Sequence, residues 1–300
     1  MRKIWSVAAL VVLSGTVASA GGNPLLWELR VKGQLRGYLF GTIHLPDERL
    51  KRLHPLVEQA YSRSTVLVTE VPLDLGSQMK MVARSTLQGG KTLDDLLPEK
   101  LASELKSLFS GAGLPWAVIS RMKIWAVAIQ VALVDHIMEM ARNPGLDQVL
   151  YNRAKADGKA LEALETIDEQ VDIFDGLDRT EQVELLKSSL KYYRKKKKKG
   201  IDPVRELLDV YLSGDPAAIR KKIEEEYGES GKLERRLMDK LFHERNGRMA
   251  RRIFQRLADR REDGPWFFAI GAGHIPGADG VAQTLSKMGV TVTRATAAAR

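Results

Sequence analysis

Apolar and polar positions change period several times along the 300-residue chain, and each change predicts an element. Leu25 to Val31 and Gly37 to Phe40 are apolar-rich stretches on either side of Lys32-Gly33-Gln34, the pattern of two strands joined by a tight turn. Asp47 through Ser62 places Leu50, Leu53, Val57, Ala60 and Tyr61 at helical spacing, and Thr65 to Val71 is a buried strand ending in an acid, Glu70. From Met79 to Met140 the period is mostly helical, broken at Gly89-Gly90, Pro98, Gly111 to Pro115 and Asn143-Pro144-Gly145. Ile124 to Val134 is its most apolar part. Arg121 and Lys123 precede that stretch and Asp135 follows it, which makes it too short for a membrane span and predicts a buried helix.

Leu146 to Ala156 continues as a helix closed by Gly158. Ala160 to Leu164 is a short strand, followed by Glu165 and a helix start near Asp168 to Gln170. Residues 178–262 are highly charged and helical in pattern, with breaks at Gly200 to Pro203, Ser213 to Pro216 and Gly228 to Gly231. Leu233, Leu237, Leu241, Met249, Ile253, Phe254 and Leu257 make a helical apolar stripe of the kind that packs a core. A last unit follows: strand Trp266 to Ile270, a glycine-rich turn, a helix from about Ala278 to Met288 and strand Val290 to Thr293. Strands alternating with helices predict an α/β (α+β) fold with a mixed central sheet, and the mainly helical middle, 79–262, predicts a large insertion or cap over it.

The first residues change the picture of where the fold begins. Arg2 and Lys3, the apolar run around Ile4 to Val12, and Ala18-Ser19-Ala20 have the three parts of a cleavable secretory signal, so residues 1–20 are expected to be a leader and 21–300 a single domain. Export through an inner membrane into a periplasm is the expected location, with no transmembrane span left after cleavage. The chain contains no cysteine, so any metal site must come from His, Asp and Glu. The net charge of +9 is concentrated in Arg194-Lys195-Lys196-Lys197-Lys198-Lys199. That run lacks the interleaved aromatics of a nucleic-acid surface beyond Tyr193, so it is expected to be a solvated loop or helix end, with weak attraction to an anionic membrane surface as its only contact.

One sequence grammar occurs twice. Tyr38-Leu39-Phe40-Gly41-Thr42-Ile43-His44-Leu45-Pro46 and Phe267-Phe268-Ala269-Ile270-Gly271-Ala272-Gly273-His274-Ile275-Pro276 both run from an apolar strand into Gly-x-x-His and a proline two residues on. In an open α/β sheet ligands bind beyond the carboxyl ends of strands, and His44, Glu70, Glu165 and His274 all follow predicted strands. Of the five histidines, His54, His136 and His243 fall on predicted helices and read as structural or surface residues. Two neutral imidazoles and one carboxylate can hold a divalent cation with positions left for water and substrate. A bound cation of that kind lowers the pKa of its water and polarises a carbonyl, while a carboxylate takes the proton. Gly271, Gly273 and Gly277 do not make a dinucleotide fingerprint, since the third glycine is one place late.

These residues resemble the TraB/GumN family, to which the Tiki proteins are related. The resemblance rests on Gly41-Thr42-Ile43-His44, Leu67-Val68-Thr69-Glu70, Gly145-Leu146-Asp147, Leu164-Glu165-Thr166 with Gln170, Arg245-Asn246, and Gly271 to Gly277, in that order from about Leu26 to Val292. It implies a fold of the erythromycin-esterase-like group and, by way of the Tiki proteins, metal-dependent cleavage of peptides or proteins. Carried over by position, it implies His44, His274 and Glu70 as metal ligands, with Glu70 a ligand or general base, and manganese or cobalt, then zinc, as the metal. Arg245 is expected to orient substrate or stabilise an oxyanion. Asn246, Glu165, Gln170, Gly41, Gly271 and Gly273 are expected around the substrate. Two alternatives stay open: a non-catalytic peptide-binding or signal-binding protein, and an esterase-like hydrolase of a non-peptide substrate. The metal hypothesis requires the fold to bring His44 and His274, from opposite ends of the chain, into one coordination sphere.

Overall fold

The computed structural model describes residues 23–228, 231–259 and 264–296; the expected leader lies outside the described residues. Strand β1 (Leu26–Val31) turns back at Lys32-Gly33 into β2 (Gln34–Thr42). Both turn residues take positive φ, 50° and 78°, the two-residue hairpin geometry whose twist matches that of the flanking strands. Helix α1 (Pro55–Arg63), capped by the His54 ring, leads to β3 (Val66–Thr69). Seven helices separate β3 from β4 (Ala160–Ala163): α2 (Leu75–Ser85), α3 (Leu93–Leu96), α4 (Glu99–Gly111), α5 (Trp116–Ile119), α6 (Ile124–Leu133), α7 (Ile137–Arg142) and α8 (Leu146–Ala156). A second helical stretch comprises α9 (Ile167–Asp175), α10 (Arg179–Lys198), α11 (Pro203–Leu212), α12 (Pro216–Gly228), α13 (Lys232–Met238), a π-helical turn (Asp239–Glu244) and α14 (Arg245–Ala258). The chain then forms β5 (Trp266–Gly271), a 3-10 turn (Ala272–His274), α15 (Val281–Lys287) and β6 (Thr291–Arg294).

The sheet has the order β4-β3-β5-β2-β1-β6. Neighbours from β4 to β2 are parallel, and β1 is antiparallel to both β2 and β6. This is the mixed sheet that the pattern predicts. The central strands β3 and β5 are buried throughout their apolar residues, as parallel strands covered on both faces must be. The outer strands β4 and β6 alternate exposed with half-buried residues, the habit of a sheet edge. Because β5 inserts between β2 and β3, the two strands that carry the repeated motif become neighbours, with Gly41 beside Ile270 and Thr42 beside Gly271.

Two large apolar cores result among the described residues, with two small clusters beside them. One surrounds the sheet, where Phe267 meets the rings of Phe40 and Tyr61. The other lies within the helical stretches and joins Leu105 and Phe109 of α4 with Val127 and Val131 of α6 and Leu186 and Leu190 of α10. The apolar run at Ile124 is thus a mostly buried helix, as expected. Among the described residues no single helix is long and apolar enough to cross a membrane. The lysine run continues α10 to Lys198 and ends exposed, with Lys196 on Glu206 at 2.6 Å and Lys197 on Asp135 at 2.8 Å.

Candidate active site at the carboxyl edge of the sheet

The strand order decides what meets at the rim. Parallel β2, β5, β3 and β4 all deliver their carboxyl ends to one edge, so the segments after Gly41, Glu70, Glu165 and Gly271 converge there. Residues after such strand ends line the crevice in which open α/β sheets bind ligands.

The buried half of the site is built on Arg245, the first residue of α14, which is 6% exposed. Its guanidinium has four partners: Nη2 donates to Glu70 Oε2 at 2.5 Å, Nε to Glu165 Oε2 at 2.9 Å, and Nη1 to His274 Nε2 at 3.2 Å and to the Leu241 carbonyl at 3.3 Å. Glu70 Oε1 accepts the Gly271 N–H at 2.6 Å. Gln170 Nε2 reaches Glu70 Oε2 and Glu165 Oε2, both at 3.3 Å, and Arg248 Nη2 donates to Glu165 Oε1 at 3.0 Å. Both buried carboxylates therefore have donors on each oxygen, the condition under which a charge survives burial.

Burial works against the charged form of Glu70. The positive surroundings, His274 and Arg245 first and His44 beyond them, outweigh it together with the Gly271 N–H and hold this carboxyl well below the usual carboxylate range. Burial pushes His274 the other way from a free imidazole, down to about 4, with Arg245 adding to the effect and Glu70 opposing it. His274 is uncharged near neutral pH, so the cation that holds Glu70 there is Arg245. The His274 Nδ1 lies 2.7 Å from Asn246 Oδ1, and Asn246 Nδ2 donates to the Asp279 carbonyl at 3.1 Å. The Phe242 ring covers the imidazole, with centroids 5.1 Å apart. A Cβ on Gly273 would stand 2.9 Å from Ile223 Cδ1 and 3.3 Å from Phe242. Glycine there admits the helical cap, where the sequence predicts an approach of ligand.

The open half is built on His44. Its side chain is 68% exposed, and Nδ1 lies 2.6 Å from Asp147 Oδ2. Asp147, the second residue of α8, is itself buried and accepts the Thr42 hydroxyl on Oδ1. A Cβ on Gly145 would come within 2.7 Å of the His44 carbonyl carbon and oxygen, so only glycine lets the start of α8 press against the motif. The Leu146 N–H donates to the Ile43 carbonyl at 3.1 Å across the same contact. The Asp147 carboxylate raises the His44 pKa against the cost of burial, and the water that reaches the ring screens part of that effect. Tyr211 Oη donates to the Gly41 carbonyl at 2.8 Å, and Gly41 packs on Ala272 and Leu25, inside the turn.

The expected site residues are thus gathered at one rim but in different roles. His274, Glu70, Glu165, Gln170, Arg245 and Asn246 form one hydrogen-bonded cluster, and Gly271 donates into it. Glu165, expected near substrate, has a fully enclosed side chain behind Arg245 and Arg248, and Asn246 is spent on His274. The expected ligand set His44, His274 and Glu70 is not assembled as a metal-binding group: among the described residues no three His, Asp or Glu side chains are placed to hold an ion. Arg245 takes the second oxygen of Glu70 and Nε2 of His274, and the nearest approach of that nitrogen to Glu70 Oε1 is 3.9 Å. The donor chemistry suits a divalent cation all the same. Each imidazole has Nδ1 engaged by a side-chain oxygen, which is how metal-binding histidines are held in general. Asp147 and Arg248 received no role from the sequence. The signals were an acid two residues after the glycine that opens a helix, and an arginine one turn past Arg245.

A mixed sheet with two strand-end Gly-x-x-His turns and an acid between them defines the class, and the sequence profile of the TraB/PrgY/gumN family matches residues 25–294. The chain belongs to that family. It is similar to a metalloprotease TIKI homolog of Amphimedon queenslandica, at 27% identity over 95% of this chain and 66% of the relative. A metalloprotease TIKI homolog of Nematostella vectensis is 26% identical over 90% of this chain and 66% of its own length. Metalloprotease TIKI1 of Homo sapiens is 23% identical over 92% and 62%. The chain spans slightly less than two thirds of the length of these curated relatives. No solved structure matches it.

Proposed function

We propose that this protein is an exported metal-dependent hydrolase that cleaves peptide amide bonds at the rim between β2 and β5. The observation that carries the proposal is the pairing of a buried, ionised Glu70 on Arg245 with two imidazoles of opposite exposure at one sheet edge. The metalloprotease names of the relatives support the reaction class, and the composition of residues 1–20 supports export to a periplasm.

His44, His274 and Glu70 are the residues that would hold a divalent ion, manganese or cobalt first, and such an ion would supply a water of lowered pKa and a polarised carbonyl. The chain's own groups do the rest. Arg245 holds Glu70 ionised as ligand or base, its other N–H groups being engaged by Glu165, His274 and the Leu241 carbonyl. His44, open to solvent, keeps Nδ1 on Asp147 and turns its other nitrogen to the site. Phe242 and the cap exclude water from the His274 side.

The test is metal content of the purified chain after mild dialysis, then digestion of a peptide library with and without manganese. Metal-dependent cleavage that disappears in Glu70→Gln and His274→Ala supports the proposal, and full cleavage by either variant overturns the site. A second reading has one specific observation in its favour: His44 on Asp147 is a ready imidazole–carboxylate dyad while Arg245 occupies Glu70. Ester turnover that needs His44 and survives chelation would select that esterase-like chemistry.

A further inference from the structure

The two motif histidines share a feature that neither motif contains. Each Nδ1 is tied to the side-chain oxygen of the second residue of a helix packed against the turn: Asp147 of α8 for His44 at 2.6 Å, and Asn246 of α14 for His274 at 2.7 Å. We propose that Asp147 and Asn246 are matched positioning residues, each holding the proton of its neutral histidine on Nδ1 so that Nε2 carries none. The inference deepens the hydrolase reading and rests on it for the purpose the nitrogens serve.

The hydrogen-bond inventory fixes the assignment. A guanidinium has only donors, so His274 Nε2 facing Arg245 Nη1 at 3.2 Å must be the bare acceptor, and the ring's one proton sits on Nδ1. The Asn246 amide cannot be turned the other way, because its Nδ2 faces a main-chain carbonyl, Asp279 O, which can only accept. Acceptor at Nδ1 and donor at Nε2 leave a single tautomer. At His44 the Asp147 carboxylate is an acceptor only, so Nδ1 stays protonated whether or not the ring is charged. The Thr42 hydroxyl, from within the motif, occupies the other carboxylate oxygen and stops it turning away. In water the free imidazole prefers its proton on Nε2, so both rings are held in the less favoured form.

The test is long-range proton–nitrogen correlation NMR of the full chain labelled at its histidines, recorded at alkaline pH, where the rings are neutral. Five histidines allow assignment by single His→Gln substitutions. The wild-type chain should show pyrrole-type Nδ1 and pyridine-type Nε2 on both His44 and His274. Asp147→Leu should return His44, and not His274, to the Nε2–H form of free imidazole. Asn246→Leu should remove the exchange-protected Nδ1 proton of His274. Loss of either anchor should weaken binding of manganese added to the chain by about 10- to 100-fold. A proton on Nε2 of either ring in the wild-type spectrum overturns the proposal, and that outcome requires no variant to fold. An unchanged His44 pattern in folded Asp147→Leu overturns it as well. The tautomer readout needs neither metal nor turnover, so failure of the hydrolase reading, seen as absent cleavage, is separate from failure of this one.

Discussion

The turns after β2 and β5 are written in the same grammar and end in opposite environments. His44 stands 68% exposed on a carboxylate that raises its pKa, while His274 is 9% exposed, under Phe242 and against an arginine, with its pKa pushed down to about 4. Gly-x-x-His therefore specifies a sharp turn at a strand end and leaves the chemistry of its histidine to whatever packs on it. Environments that push two titratable groups apart are what divides acid from base in one site. The helix starts supply that difference here: α8 brings an anionic anchor to the open turn, and α14 brings a cation and a neutral anchor to the buried one.

Arg245→Leu should break the buried half and leave the open half standing. It strips Glu70 and Glu165 of their shared partner in a place water does not reach, and removing one member of a buried pair costs about 3–5 kcal/mol. Denaturant unfolding should show that loss at neutral pH, whereas His44→Ala, at the exposed ring, should cost less than about 1 kcal/mol. Equal costs would mean that the two halves are not energetically different.

Gly145→Ala tests the open half at its backbone. The new methyl would have to share space with the His44 carbonyl at 2.7 Å, and overpacking of this kind costs about 1–3 kcal/mol. Because the clash falls on the motif turn, the His44 resonances should move and those of His274 should not.

The pH dependence separates the halves by sign. His44 has a folded-state pKa raised from 6.5 toward about 9, so its stabilisation is full below 6.5 and is lost as pH rises through that interval. His274 has its pKa lowered from 6.5 to about 4, so the native state resists protonation and stability falls as pH drops from 6.5 toward 4. Proton NMR titration of the two rings, with unfolding measured across the same range, should give slopes of opposite sign. Two rings titrating together near 6.5 would erase the contrast.

The two turns were legible in the sequence for local reasons, and the contrast between their histidines was not. Strand-terminal Gly-x-x-His twice, Glu70 at the end of an apolar run, and Gly145 at a helix start are all one-dimensional signals, and the mixed sheet was expected from the alternation of strands with helices. Pairing was not legible, because β5 comes from the far end of the chain and its insertion between β2 and β3 depends on packing across the sheet. The role of Asn246 was missed for the same reason: an amide beside an arginine on a helix reads as a contact for ligand until the position of His274 is known. At α2, Leu75, Met79 and Val82 stand at helical spacing and are 71%, 65% and 66% exposed. Its contacts with α9 include ion pairs from Lys80 and Arg84 to Asp168, beside Met81 in a small apolar cluster.

The finest test lies at the motif position where one copy has a side-chain donor and the other has none. Thr42 follows Gly41, and Ala272 follows Gly271; the hydroxyl of Thr42 donates to Asp147, while alanine has nothing to give and the opposite anchor, Asn246, is held by a main-chain carbonyl instead. Thr42→Val keeps the volume of a residue that is 1% exposed and removes only the donor. The expected loss is about 1 kcal/mol, the net worth of a hydrogen bond whose acceptor stays partly satisfied by His44. A loss of that size, with the His44 tautomer retained, would place the orientation of the ring in Asp147 itself. A loss of the tautomer as well would place it in the motif, and the two copies would then differ because their second residues differ, before any helix packs on them.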